Sequence, residues 1–286
     1  MTFRFANVEG RSALVDSDGR WFDASKVTGG AIPVDPMDAW RQLDALHEAE
    51  GAITDASPDG NLGDADVRAP IPSPRSVFAV GLNYRSHAEE SNMKVPDSPL
   101  IFTKFPSCLA GPTDTVTLGG ATDDYEAELV VVIGRGGRNI RREDAWGHVG
   151  GLTAGQDISD RALQFAAEPP HFDLGKSRDT YGPTGPTVVS TDSFADPGDL
   201  RVTCDVNGER RQDDRTANLI FDIPALVSYL SGILTLSCGD LIFTGTPEGV
   251  GAASLRFLVD GDVITTTIEG IGTMTNPCQI PETELP

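Results

Sequence analysis

Glu126 and Glu128 stand at the head of the run DDYEAELVVVIG, and every residue from Leu129 to Ile133 is apolar. That run has the composition of a fully buried strand, ended by Gly134. Residues two apart in a strand share a face, so the two carboxylates would lie side by side at the edge of a core. Like charges that close are unfavourable unless something positive stands between them. Asp157 adds a third acid at the end of another apolar, strand-like segment, GLTAGQD, where a turn begins. Three carboxylates from two strands can enclose a hard divalent cation, and all-oxygen ligation favours Mg²⁺, Mn²⁺ or Ca²⁺ over zinc. Asp157 could equally cap the turn or helix that follows it.

Three other stretches carry polar groups suited to chemistry. In GLNYRSHAEES, His87 and Glu90 are three apart, which on a helical turn places them on one face within hydrogen-bonding reach. A carboxylate that orients an imidazole fixes its tautomer and makes it a general base, although a solvated helix-surface pair has the same spacing. Lys176 lies in the Gly/Pro-rich stretch HFDLGKSRDTYGPTGP, either as a solvated loop charge or as a cation that neutralises the acids and stabilises an oxyanion. DLIFTGTPEGVG ends a strand-like run in a Gly-Thr-Pro turn that could offer backbone N–H groups and the Thr246 hydroxyl to an anion. It is no P-loop, since no lysine follows the glycines, and the chain has no GxSxG elbow and no dinucleotide fingerprint.

The elements that must position these groups are mostly strands. Residues 1–70 read as a small unit with strands at FRFANV and RSALVD, an Asp-Gly turn, and one helix from Pro36 to Glu50 carrying Trp40, Leu43 and Leu46. SPDGNLGDADVRAPIPSPRS reads as a linker. Residues 71–286 then form a larger domain of many strands and two helices, one near REDAWGHVGG and one in IFDIPALVSYLSGIL. The fold class is mostly β with some α (α+β). Without regular βαβ alternation, a doubly wound sheet or a TIM barrel is disfavoured.

The chain has 286 residues, 39% of them hydrophobic, and carries a net charge of −21 spread along its length. That charge excludes a nucleic-acid partner, which needs a basic face. No apolar stretch reaches the length of a membrane span and the start lacks an apolar leader segment, so the expectation is a soluble, cytoplasmic protein. Cys108, Cys204, Cys238 and Cys278 form no CxxC and read as reduced structural thiols.

Taken in order, VGLNYRSHAEE, PLIFTKFPSCLAGP, DYEAELVVVIG, GLTAGQDISDRALQ, GKSRDTYGPTGP, DLIFTGTPEGVG and VDGDVITTTIEGIGTMTNPC resemble the fumarylacetoacetate hydrolase family, in the catalytic domain of its small bacterial-type members. The resemblance spans about 200 residues, from Val77 to Cys278. It implies a mixed β-sandwich roll with a small N-terminal accessory domain, usually a homodimer. It implies that Glu126, Glu128 and Asp157 hold Mg²⁺ or Mn²⁺, that His87 and Glu90 activate water, and that Lys176 stands beside the metal. Arg161, Gln164 and Thr246 match positions that bind substrate. Arg178, where the family often has another residue, would add a cation near the substrate. The activity implied is hydrolysis of a C–C bond in a 2,4-dioxo acid such as an acylpyruvate, releasing pyruvate and a carboxylic acid. The alternative is decarboxylation of oxaloacetate, or isomerisation or hydration of an unsaturated 2-oxo diacid, through a metal-stabilised enolate.

Overall fold

Ala127–Ile133 is a strand buried at every residue, in a computed structural model that describes residues 2–281. Its alternating side chains enter two different cores. Leu129, Val131 and Ile133 pack with Val202, Ile264 and Met274 on one side. Val130 and Val132 pack with Phe5, Trp40 and Phe243 on the other. A strand covered on both faces has no reason to alternate polar and apolar, which is why the run is continuous.

The strand sits inside a twelve-stranded sheet, between Val149–Gln156 and Leu241–Phe243. Beyond Leu241–Phe243 come Val77–Gly81, paired parallel, and Leu100–Lys104 at the edge. A second sheet of five strands, Glu209–Arg215, Arg201–Val206, Val263–Ile268, Gly272–Gln279 and Val116–Thr117, contributes the opposite wall of the first core. Ile223–Ile233 is the longest helix among the described residues. It is capped by Asp222, whose carboxylate accepts from the Ala225 amide, and begins with Pro224 in its first turn.

The first 70 residues join the same sheet. Arg4–Val8 pairs antiparallel with Gly182–Val189, matching Phe5 with Val188. The segment expected to be a linker is woven in as well: Gly60–Asn61 pairs with Arg20–Asp23, and Val67–Arg68 with Arg4–Val8. Its backbone groups are satisfied by sheet edges, which a count of Pro, Gly and Asp does not reveal. The single helix expected from Pro36 to Glu50 is instead two, Pro36–Trp40 and Leu43–Glu48, broken at Gln42, where ψ is 48°. The short first helix lets the Trp40 indole N–H donate to the Ile133 carbonyl at 3.1 Å. We propose residues 1–70 as an accessory unit built onto a catalytic domain of residues 71–286. Trp40 is fully buried in their common core, so Trp40→Ala is expected to cost about 3–5 kcal/mol in denaturant titration. Its unfolding should stay a single transition rather than splitting into two.

Among the described residues no helix is long and apolar enough to cross a membrane. The four cysteines are free thiols, three of them buried.

Candidate active site

The site forms where the sheet comes apart. Leu241–Phe243 follows Ala127–Ile133 only as far as the Phe243–Val130 pair. Past that point the ladder runs out: the Thr244 N–H makes one more backbone bond to the Leu129 carbonyl at 3.1 Å, which the Thr244 hydroxyl joins at 2.8 Å, and beyond it the Thr246 hydroxyl donates to the Ala127 carbonyl at 2.9 Å. In this opening Glu126, Glu128 and Asp157 bring carboxylate oxygens within 4.8 Å of one another, all buried. Asp157 is not a helix cap; Asp160 caps Arg161–Gln164.

The turn that follows Phe243 serves three carboxylates in succession. Gly245 N–H donates to Glu128 at 2.6 Å, Gly249 N–H to Glu90 at 2.9 Å, and Gly251 and Ala252 N–H to Asp124 at 2.6 and 3.0 Å. The anions that the Gly-Thr-Pro stretch meets are thus side chains of the protein itself. Gly249 has φ +101° and a Cβ there would collide with the Arg211 carbonyl, so only glycine fits.

Three cations brace the acids. Lys176 Nζ lies 2.7 Å from both Glu126 and Asp157. Lys104, fully buried, pairs with Asp157 at 2.7 Å and also donates to the Lys176 carbonyl. Arg161 bridges Asp124 at 2.7 Å and Glu126 at 2.5 Å, and donates to the Gln164 side-chain oxygen at 3.0 Å. Burial works against the Glu126 charge, but Lys176 and Arg161 outweigh it and hold that carboxyl down at about 2. Burial also opposes the Lys176 charge, and Asp157 and Glu126 outweigh it, so the ammonium holds its proton more tightly than usual. No cation among the described residues is in ion-pair contact with Glu128. Burial first, then Asp157 and Glu126, push its carboxyl well above the ordinary range. An enclosed, all-oxygen donor set with one uncompensated acid fits a hard divalent cation such as Mg²⁺ or Mn²⁺.

His87 lies on the short helix Arg85–Glu90, and its Nδ1 is 2.8 Å from Glu90. Glu90 is itself fixed by the Gly249 amide, so Nε2 is the ring nitrogen available to a bound molecule. One cavity of about 500 Å³ is lined by His87, Glu90, Glu126, Arg161, Gln164, Lys176 and Thr246. Phe102, Phe165, Phe172 and Val250 supply apolar wall. Glu128 and Asp157 do not line it; both are buried, with carboxylate oxygens within 4.8 Å of that of Glu126. Arg178 does not reach this wall: it pairs with Asp160 at 2.9 Å and packs over Gly119. The aspartate next to the helix claims the cation that the sequence placed near the substrate.

Sequence reasoning missed Lys104, Asp124, Gln156 and Gln212. Lys104 left one local signal, a lysine at the end of the strand-like run LIFTK, just before Phe105. Asp124 was hidden among neighbouring acids.

Fold and cavity together define an enzyme whose acidic, lysine-braced site lies at the parting of a sheet. Residues 76–279 match the family described as fumarylacetoacetate (FAA) hydrolase C-terminal, and the chain belongs to that family. It is 43% identical over 224 residues to the oxaloacetate tautomerase YisK of Bacillus subtilis, covering 76% of this chain and 74% of that one. A crystal structure from Mycobacterium smegmatis, named for an HpcE protein, superposes with a TM-score of 0.92 at 43% identity, covering 99% of this chain and all of the other. Maleylpyruvate hydrolase from Sphingobium sp. SYK-6, solved with manganese(II) and pyruvate, superposes with a TM-score of 0.81 at 30% identity, covering 98% and 100%.

Proposed function

We propose that the protein is a divalent-metal-dependent enzyme that moves a proton on the carbon beside the carbonyl of a small 2-oxo acid, with keto–enol tautomerisation of oxaloacetate as its reaction. The observation that carries this reading is the His87–Glu90 pair on the wall of the same cavity as Glu126 and Lys176. With Nδ1–H donated to Glu90, Nε2 is left as a base able to take a proton from the substrate's C3 and return it. As the C–H bond breaks, its electron pair forms the C2–C3 double bond and the carbonyl pair moves onto oxygen, giving the enolate. That oxygen then takes the proton from Nε2–H, which completes the enol and restores the neutral imidazole, and ketonisation runs the same steps in reverse. Lys176, buried and held charged by its acid partners, favours negative charge on that oxygen. Gln164, whose side-chain oxygen accepts from Arg161, presents its amide nitrogen to the substrate carboxylate, with Thr246 on the same wall. A Mg²⁺ or Mn²⁺ ion held by Glu126, Glu128 and Asp157 would supply the positive charge that stabilises the enolate form. The relatives named as oxaloacetate tautomerases support this choice of substrate.

The second reading is hydrolysis of a 2,4-dioxo acid to pyruvate and a carboxylic acid. It is favoured by the roominess of a 500 Å³ cavity for a four-carbon acid, and by the maleylpyruvate hydrolase likeness. Decarboxylation of oxaloacetate needs the same charge stabilisation without a base. The proposal includes a cytoplasmic homodimer, checked by light scattering of the purified protein.

The test follows enol-oxaloacetate by its ultraviolet absorbance, alongside pyruvate and carbon dioxide release from acylpyruvates and oxaloacetate. Acceleration of ketonisation, abolished by EDTA and restored by Mg²⁺ or Mn²⁺, is expected. Pyruvate plus acid from an acylpyruvate, with ketonisation no faster than in buffer, would replace the first reading by the second.

A further inference from the structure

Two buried glutamines hold the backbone on which the acids stand. Where Leu241–Phe243 has diverged, the Ala127 amide has lost its ladder partner and donates instead to the Gln212 side-chain oxygen at 2.9 Å. One residue earlier, the Glu126 amide donates to the Gln156 side-chain oxygen, also at 2.9 Å. Both glutamines are essentially inaccessible to solvent. Their amide nitrogens are anchored too. Gln156 donates to the Thr266 hydroxyl at 2.8 Å, and Gln212 to the Thr246 hydroxyl at 2.8 Å and the Pro247 carbonyl at 2.9 Å. Thr266 and Gln212 both belong to the five-stranded sheet. The segment that carries Glu126 and Glu128 is therefore tied from two directions to the other layer of the fold.

The choice of glutamine follows from charge. Glu126, Glu128 and Asp157 repel one another when ionised, and that repulsion acts to spread the backbone between them. A third lysine would neutralise the acids and compete with a cation. A further carboxylate would add to the repulsion. A neutral side chain with one acceptor and two donors restrains the backbone and leaves the charge of the site unaltered.

We propose that Gln156 and Gln212 are positioning residues that set the spacing of the Glu126, Glu128 and Asp157 oxygens and so the affinity for the divalent cation. The inference rests on the reading of those three carboxylates as a metal site. Outer partners that orient metal ligands change affinity about 10–100-fold when removed.

The test measures Mn²⁺ binding by calorimetry on the full chain and on Gln156→Met and Gln212→Met, which keep length and apolar volume but lose the acceptor. Each variant should bind Mn²⁺ at least about tenfold more weakly, and the electron paramagnetic resonance line shape of the bound ion should change. Ser231→Ala, which removes the acceptor of another buried amide, that of Ile140, serves as a control that lowers the melting temperature without moving the Mn²⁺ affinity. Methionine variants that melt earlier yet bind Mn²⁺ as tightly as the wild type would reduce the glutamines to structural residues and overturn the proposal. A wild type that binds no Mn²⁺ would sink the metal-site reading and this inference with it. Hydrogen exchange on the wild type gives a check that needs no variant. The Glu126 and Ala127 amides should be as protected without Mg²⁺ as with it, and protection that appears only with Mg²⁺ would mean that the ion, rather than the glutamines, orders the segment.

Discussion

Glu128→Gln is expected to melt later than the wild type in EDTA and to gain neither stability nor turnover from Mg²⁺ or Mn²⁺. Both halves of that result come from one imbalance. Four buried acids, Asp124, Glu126, Glu128 and Asp157, are met by Lys104, Lys176 and Arg161, and the acid left without a contacting cation is Glu128. Its carboxyl is raised by burial and by Asp157 and Glu126. A carboxyl whose folded value lies above its unfolded one binds a proton more tightly in the native state. Stability is then lost as pH rises from the ordinary carboxylate range through the raised value. The amide carries no charge, so the variant lacks that slope. Its oxygen can still accept from Gly245, and its nitrogen can donate to a neighbouring carboxylate. Each kcal/mol recovered raises the melting temperature by about 2–4 °C. In the other direction, losing one of three ionic ligands removes several kcal/mol of charge stabilisation, or ~10³-fold in turnover. Melting curves across pH in EDTA and in Mn²⁺ check both. A variant that melts earlier, with the wild-type pH slope, would mean that the Glu128 charge stabilises the metal-free fold.

What the sequence disclosed about this site was whatever lies close along the chain. The Glu-x-Glu pair, the run behind it and the i,i+3 spacing of His87 and Glu90 are local patterns, and the periodicity of a strand or a helical turn converts them directly into geometry. Lys104 reaches Asp157 across 53 residues, and Gln212 reaches Ala127 across 85. Those contacts depend on sheet order and on where a neighbouring strand diverges. Polar residues that finish a broken ladder have no periodicity of their own. Gly272–Gln279 shows the same limit: its buried face reads Met274, Asn276 and Cys278, and Asn276 spends its amide on the Gly111 and Asp114 carbonyls. A buried asparagine looks like a turn residue until its partners are known. The break at Gln42 likewise follows from a contact between Trp40 and Ile133, 93 residues away.

His87→Ala and Glu90→Gln are expected to lower kcat for ketonisation by about 10²–10⁴-fold while leaving Mn²⁺ affinity near that of the wild type. The alanine variant removes the base outright. The glutamine variant is the more informative, because it should keep the fold and change the proton. Glu90 can only accept, so it selects the tautomer with the proton on Nδ1 and leaves the Nε2 lone pair facing the cavity. A glutamine retains an oxygen for the Gly249 amide but turns its NH₂ toward the ring. Nδ1 must then accept, the proton moves to Nε2, and the base is lost although its position is unchanged. Decarboxylation of oxaloacetate, which needs stabilised charge and no base, should survive in both variants. The comparison therefore separates the chemistries that one site can host. Loss of ketonisation with decarboxylation retained assigns the proton transfer to His87. Ketonisation at the wild-type rate in either variant would remove the dyad from the mechanism.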